Sequence, residues 1–217
     1  MVAAWRRTME KRGVITVISG FSGAGKGTIV KELVSRYDYW LSVSATSRQP
    51  REGEVHGKEY FFLTREEFQC MIKDGQLVEW TEYVGNYYGT PKKYIEEQLI
   101  AGRDVILEIE TEGALNVKNV FDDVLLLFIT PPTAEELKNR LVSRGTETEE
   151  VIKKRLARAY EEVDFMPSYD YIVVNDKLEE CVEKVHELIQ NRKMKVYYQQ
   201  DNIRNMKTEL KAFQEGE

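Results

Sequence analysis

The sequence predicts an α/β fold in which a parallel sheet, flanked by helices, carries a small inserted α+β lobe and a helical lid. Three observations lead there. Val14–Thr28 (VITVISGFSGAGKGT) joins an apolar strand-like run to a glycine-rich loop, and an amphipathic run with Ile29, Val30, Leu33 and Val34 follows. Val105–Ile109 and Val124–Ile129 are unbroken apolar runs of strand length, which suits parallel strands covered on both faces. Between Tyr60 and Gly89 the pattern changes to short β-like pieces around one helix, which marks an insertion.

Val14–Ser19 reads as a buried strand, Thr28–Arg36 as the helix after the loop, and Leu41–Ser44 as a short strand entering a polar loop with arginines. Tyr60–Leu63 and Leu77–Tyr83 are β-like, and the helix between them starts at Thr64, which has capping-box spacing to Glu67. Thr90 before Pro91 predicts an N-cap and a first-turn proline, with the helix ending near Gly102. Thr133 with Glu136, and Thr146 with Glu149, repeat the capping-box spacing ahead of helices carrying Leu137 and Leu141, and Val151, Ile152 and Leu156. Tyr171–Val174 is the last strand. From Leu178 one long helix (Val182, Val185, Leu188, Ile189) turns polar after Gln190, and a frayed or solvent-facing tail is expected after Tyr198. Residues 1–217 therefore read as one domain: a core of about 13–43, 91–138 and 164–190, a lobe of about 44–90, a lid of about 139–163 and a helical tail of about 191–217.

With 217 residues, 42% of them hydrophobic, the chain can bury one sizeable core. Its net charge of -6 argues against a general nucleic-acid or anionic-membrane binder, so any basic site must be local. Cys70 and Cys181 lack metal-ligand spacing and read as small buried hydrophobes of a reduced, cytoplasmic protein. His56 and His186 are too few and too far apart for a zinc site or a charge relay, and surface or turn positions are expected for both. The N-terminal MVAAWRRTMEKR has no apolar stretch of signal-peptide length, and no run in the chain is long enough to span a membrane. Arg6, Arg7 and Arg12 resemble an organelle address, but Glu10 weakens it.

The loop points to phosphate chemistry. Gly20, Gly23 and Gly25 can take backbone angles that turn successive N–H groups inward around a polyphosphate, Lys26 reaches its outer groups, and the following helix aims its positive end at the same anion. Phosphoryl transfer also needs cations around the moving group. Arg48 and Arg51 flank Pro50 on a constrained loop suited to clamping an acceptor phosphate. Arg140 with Arg144, and Arg155 with Arg158, lie on helix faces at i, i+4 and i, i+3 on either side of the GTETEE turn, an arrangement that suits a hinged lid. For Arg140 and Arg158, pairing with local glutamates is an equally good reading.

From about Gly13 to Leu188 the chain resembles guanylate kinases, through SGFSGAGKGT, SVSATSRQPREGEVHGKEYFF, LVEWTEYVGNYYGTP, VILEIETEGA, FITPP, SRGTETEEVIKKRL and YIVVNDKLE. The resemblance implies transfer of the γ-phosphate of ATP to GMP with magnesium, on a P-loop kinase core with an inserted GMP-binding lobe and a helical lid. It implies catalytic charges on Lys26, Arg48, Arg51, Arg144 and Arg155. ATP phosphates would lie on Phe21, Ser22, Gly23, Ala24, Gly25, Lys26, Gly27 and Thr28, with adenine against Asn175 and Asp176. The GMP phosphate would fall to Arg48, Arg51, Tyr60 and Tyr88, with Glu54 bracing the arginines, and guanine to Ser44, Glu79 and Thr90. Chemistry favours that last set: a carboxylate accepts guanine N1–H and N2–H together, and a hydroxyl donates to O6. Adenine would leave the carboxylate unpaired. Glu108 and Glu110, on alternate strand positions, would bind GMP or organise magnesium through water, or else hold nearby basic residues.

Gly27 stands where such loops usually carry a hydroxyl, so magnesium is expected through water and nucleotide phosphates, with Thr28 the candidate hydroxyl and no direct protein ligand set. Glu110 stands where aspartate is common. The expected partners are ATP and GMP, with dGMP open, no nucleic acid and no membrane, in a monomer or homodimer whose polar tail would dock the second copy. Two other readings are a non-catalytic module of the same shape and a kinase for another phosphorylated acceptor. The intact Lys26 and lid arginines favour an enzyme over the first.

Overall fold

The computed structural model describes residues 12–83, 85–143 and 148–215. In chain order, β1 (Ile15–Gly20) leads through the glycine loop to α1 (Lys26–Arg36), β2 (Tyr39–Leu41), β3 (Ala45–Thr46), β4 (Phe61–Phe62), α2 (Arg65–Lys73), β5 (Leu77–Tyr83) and β6 (Asn86–Pro91). Next come α3 (Lys92–Ile100), β7 (Asp104–Glu108), α4 (Thr111–Val120), β8 (Val124–Thr130), α5 (Ala134–Ser143) and α6 (Glu149–Glu162). A 3-10 segment, Val163–Ser168, then precedes β9 (Tyr171–Val174) and α7 (Leu178–Arg192), and a second, Val196–Tyr198, precedes α8 (Gln200–Glu215).

The first sheet is parallel throughout, in the order β2-β7-β1-β8-β9. Every residue of β1 is buried, as are the first six of β8, so the continuous apolar runs are covered on both faces. Helices α1, α3, α4 and α7 pack against it. This register sets Ile18 beside Glu108 and Gly20 beside Ile129, so the glycine loop leaves the sheet at its carboxyl edge, where ligands of such sheets bind. The second sheet runs β4-β3-β6-β5 with β6 antiparallel to both its neighbours, and α4 packs on β5 to join it to the core.

Several expectations need correction. The second strand is Tyr39–Leu41, not Leu41–Ser44, because α1 stops at Arg36 and the aromatic residues pair at once with Asp104–Ile106. Pro91 ends β6 and is itself the N-cap of α3, while the Thr90 hydroxyl is committed to Glu79 and does not cap the helix. β3, β6 and α4 lie in stretches read only as loop or link. The Thr64–Glu67 capping box forms in both directions; at Thr133 the hydroxyl accepts from Glu136 N–H, but the Glu136 carboxylate is engaged by Arg140. Thr146 lies outside the described residues, and α6 starts at Glu149 with Thr148 as its N-cap. Cys70 is exposed and Cys181 buried. His56 lies in an exposed turn, whereas His186 stacks on Tyr37 and bonds the Tyr39 hydroxyl at 2.8 Å.

The single long C-terminal helix is two helices. Arg192 grips Asp123 through two nitrogens, Lys195 reaches the same carboxylate, and Lys193 pairs with Asp104, so the chain is pinned beneath the sheet before α8 starts. Beyond it the expected frayed or solvent-facing tail is a solvent-facing helix, with Ile203, Met206, Leu210 and Phe213 as an exposed stripe.

Asp104 is 6% exposed and accepts from the buried Val14 N–H at 2.9 Å while binding Lys193. Asp104→Ala is expected to cost about 2–3 kcal/mol in urea unfolding, because that N–H loses its acceptor. Asp104→Asn keeps an acceptor and should cost clearly less; equal losses would assign the effect to Lys193 alone.

Candidate active site

The loop between β1 and α1 is built around backbone close approach. Gly25 is the N-cap of α1 at φ 93°, and a Cβ there would stand 2.6 Å from Asn175 Nδ2. Asn175 Nδ2 donates to Ala24 O at 2.8 Å, Asn175 N donates to Thr130 O, and Arg140 Nη2 donates to Asn175 O. Asn175 therefore braces the loop, its side-chain amide donating to Ala24 O; Asp176 beside it is exposed. Phe21 contributes only backbone to the loop, since its ring is buried edge-on against Phe128. Ser22 and Gly23 follow, and Gly27 and Thr28 are exposed on the first turn of α1. Lys26 Nζ donates to Gly20 O at 2.5 Å and Phe21 O at 3.2 Å, folded over the loop it serves.

Carboxylates surround this lysine. Glu108 ends β7 with Oε1 3.5 Å from where a Gly27 Cβ would lie; loss of water around its carboxylate raises its pKa, Lys26 partly offsets that, and Glu110 adds to the rise. Glu110 is not on the strand with Glu108. It is the N-cap of α4, and Arg158 Nη2 approaches it at 3.5 Å. Glu110 thus holds a basic residue, Arg158, while Lys26 acts on Glu108 only as a nearby charge. From α6, Arg155 Nη1 donates to Ser22 Oγ at 2.8 Å, which brings the lid helix onto the loop. Arg140 pairs with Glu136 four residues back, as the local reading had it. Arg144 lies outside the described residues.

The second cluster is in the β3–β6 sheet. Arg48 Nη2 donates to both Glu54 oxygens at 2.9 and 3.0 Å, and Glu54 also accepts from Arg51 N–H at 2.7 Å, so one carboxylate orders both arginines. Arg48 and then Arg51 hold the Glu54 carboxyl below its ordinary range. The Arg48 guanidinium lies 5.7 Å from the Tyr60 ring centre, and Tyr60 meets Tyr88 edge-on. Arg51 itself is exposed.

Farther in, Thr90, 1% exposed, donates to Glu79 Oε1 at 2.6 Å. Thr90 thus orients the carboxylate, a contact that the sequence alone did not reveal. Burial raises the Glu79 pKa above 4.5, and the Thr90 bond lowers it in part. No cation faces Glu79 among the described residues. The half-buried Ser44 hydroxyl has no protein partner there either, which leaves it free to donate.

Two contributors escaped the sequence. Gly113 on α4 gives Glu79 its room, since a Cβ there would lie 3.1 Å from Glu79 Oε2; only the α4–β5 packing reveals it. Glu162, 4% exposed at the end of α6, sits in a run of charges that reads as a solvated face.

Comparison with known proteins gives one family. The guanylate kinase family model matches residues 12–192. A guanylate kinase of Clostridium tetani is 49% identical over 195 residues, 90% of this chain and 93% of that protein, and one of Bacillus subtilis is 50% identical over 183 residues, 83% and 90%. The crystal structure of guanylate kinase from Anaplasma phagocytophilum aligns with a TM-score of 0.68 at 32% identity, covering 87% of this chain and 90% of that one.

The Thr90–Glu79 bond can be tested alone. In Thr90→Val the carboxylate loses the donor that favours its ionised form, so an NMR titration of the Glu79 side chain should give a pKa higher than in the parent protein. An unchanged titration would remove Thr90 from its assigned role.

Proposed function

The chain belongs to the guanylate kinase family and transfers the γ-phosphate of ATP to GMP, and we propose that Glu79, held by Thr90, selects the guanine while Lys26 and the arginines carry the charge of the moving phosphoryl group. The observation that carries this reading is the state of Glu79: a largely desolvated carboxylate with one hydroxyl donor and, among the described residues, no cation. Such a group is costly to keep unless a ligand brings its own donors. Guanine brings two side by side, and the Ser44 hydroxyl serves its O6.

GMP places its phosphate among Arg48, Arg51, Tyr60 and Tyr88, and Glu54 keeps the two arginines ordered for it. ATP threads its phosphates through the loop from Phe21 to Thr28, drawing Lys26 off the Gly20 and Phe21 carbonyls. Arg155, already at Ser22, closes over the transferring group with Arg144. The attacking oxygen belongs to an ionised phosphate, so no side chain has to remove a hydroxyl proton. Closure of the lobe and lid excludes the water that would otherwise accept the phosphoryl group.

The residues beside the loop fit magnesium as an outer partner. Thr28 and Glu108 supply hard oxygen donors, while the described residues hold no group of three or more His, Cys, Asp or Glu side chains able to cage a metal. When bound, the ion adds positive charge at the phosphate oxygens. The reading also includes work as a monomer or homodimer in the cytoplasm; among the described residues no helix is long and apolar enough to cross a membrane.

A coupled assay of ADP release with GMP, AMP and CMP tests the specificity. The wild-type protein should use GMP alone efficiently, and Glu79→Gln should raise KM for GMP by roughly 100-fold or more with little change for ATP. Equal effects on both nucleotides, or efficient use of AMP, would overturn the assignment. Because the Glu79 pKa is raised, GMP binding is complete above the shifted value and is lost as pH falls through it. KM for GMP should thus climb on the acid side, starting above pH 4.5, in wild type and not in Glu79→Gln. In Arg155→Ala, turnover at saturating nucleotides should fall by about 100-fold or more.

A further inference from the structure

Arg155, Arg158 and Glu162 lie on one face of α6 at spacings of three and four residues, the face that meets the phosphate loop and α4. The three differ sharply in freedom. Arg155 reaches across to Ser22 on the loop, and Arg158 is more than half exposed. The Glu162 side chain is only 5% exposed and accepts from Arg158 Nε at 3.3 Å, while Arg158 Nη2 extends to Glu110 at the start of α4. A buried carboxylate thus anchors an arginine that bridges the lid helix to the core.

We propose that Glu162 is a positioning residue for phosphoryl transfer: from the buried root of the lid helix it holds Arg158 toward Glu110, and so fixes the rotation of α6 at which Arg155 meets the phosphate loop. This inference rests on the phosphotransferase reading and adds a residue to it. The physical case is one of leverage. Rotation of α6 about its axis moves Arg155 and Arg158 together, and the α6 face is held near its C-terminus, where Glu162 cannot leave without breaking its hydrogen-bonded ion pair with Arg158. Just past it the helix tightens into the Val163–Ser168 3-10 segment, a natural limit to the rigid lid.

The charges facing Glu162 are Arg158 on α6, Glu110 at the N-cap of α4, Lys26 on α1 and the Tyr169 phenol that follows the 3-10 segment. Burial first and Glu110 second raise the Glu162 pKa, against Arg158 and Lys26, so the anchoring ion pair is present above the raised value and is lost as pH falls through it. Misplacing a charge on the transferring group by a fraction of an ångström lowers turnover more than it lowers binding.

The test is Glu162→Gln, Arg158→Gln and the double variant, assayed for GDP formation across pH with thermal melting in parallel. Each single variant should lose about tenfold in kcat with both KM values within about twofold, and the double variant should be no worse than the poorer single one. The acid limb of kcat at saturating nucleotides should move to lower pH in Glu162→Gln. Additive losses, or a lowered melting temperature with normal kcat and an unmoved acid limb, would overturn the proposal. Should Glu162→Gln fail to fold, Arg158→Gln decides alone, since its side chain is largely exposed: reduced kcat at unchanged melting supports the role, and normal kcat removes it. A wild-type protein that makes no GDP would refute the phosphotransferase reading, whereas an active wild type with silent variants would refute only the role of Glu162.

Discussion

The left-handed backbone at Gly25, packed against the Asn175 amide with no room for a Cβ, is the constraint on which the catalytic core depends. Asn175 joins four parts at one buried point: its side chain holds Ala24 of the loop, its N–H bonds the end of β8, its carbonyl receives Arg140 of α5, and its own position closes β9. The phosphate loop, the strand ends and the first lid helix therefore share one anchor. A loop that must direct several N–H groups inward has little hydrogen bonding of its own, and this external brace supplies the missing rigidity. Any side chain at residue 25 would strain the backbone and displace the brace together.

Around that anchor several of the described cations already have partners of the protein's own. Lys26 rests on two carbonyls, Arg48 on Glu54, Arg155 on Ser22 and Arg158 on Glu110 and Glu162. The partners fall into two kinds. Carbonyl and hydroxyl oxygens are weak acceptors that a phosphate can replace at a gain, since charge-assisted bonds are about twice as strong as neutral ones. Glu54, which also binds the Arg51 backbone, is a stronger acceptor, and together with Gln49 O, which accepts from Arg48 Nη1 at 2.7 Å, it holds the Arg48 guanidinium in place. The division suits a site in which Lys26 and Arg155 move during the cycle while Arg48 stays ordered.

How much of this was legible in the sequence follows from the range of the interactions. The glycine loop, the three apolar strands of the core and the Thr64 capping box are local patterns, and all appear where the spacing puts them. β3 has two residues and α4 begins among charged residues, so neither carries a periodic signal strong enough to stand out. Thr90 and Asn175 stood out in the sequence, but the bonds their side chains make within the protein did not, because a hydroxyl or an amide has several possible partners and only the fold chooses among them. Gly113 and Glu162 had no local signature at all; their meaning lies in contacts with β5 and Arg158. The break between α7 and α8 likewise depends on Asp104 and Asp123, acidic residues about 70 to 90 positions earlier.

The lobe that carries Glu79 has a core of its own with only Ala45, Phe68 and Tyr87 buried and grouped together, next to the large core of the parallel sheet. A desolvated carboxylate is a burden on so small a unit: with its pKa raised in the folded state, its contribution to stability is full below about 4.5 and is lost as pH rises through the shifted value. At neutral pH the lobe therefore bears the cost of a charge that no cation among the described residues relieves. The same deficit makes the lobe responsive, because a ligand with two N–H donors removes the cost on binding and shifts the balance toward whichever arrangement lets it do so. A ligand lacking those donors leaves the cost in place and has no corresponding hold on the lobe. In the proposed reading, selectivity for the base and closure on it thus come from a single source, the state of one buried glutamate on a sheet with a small core.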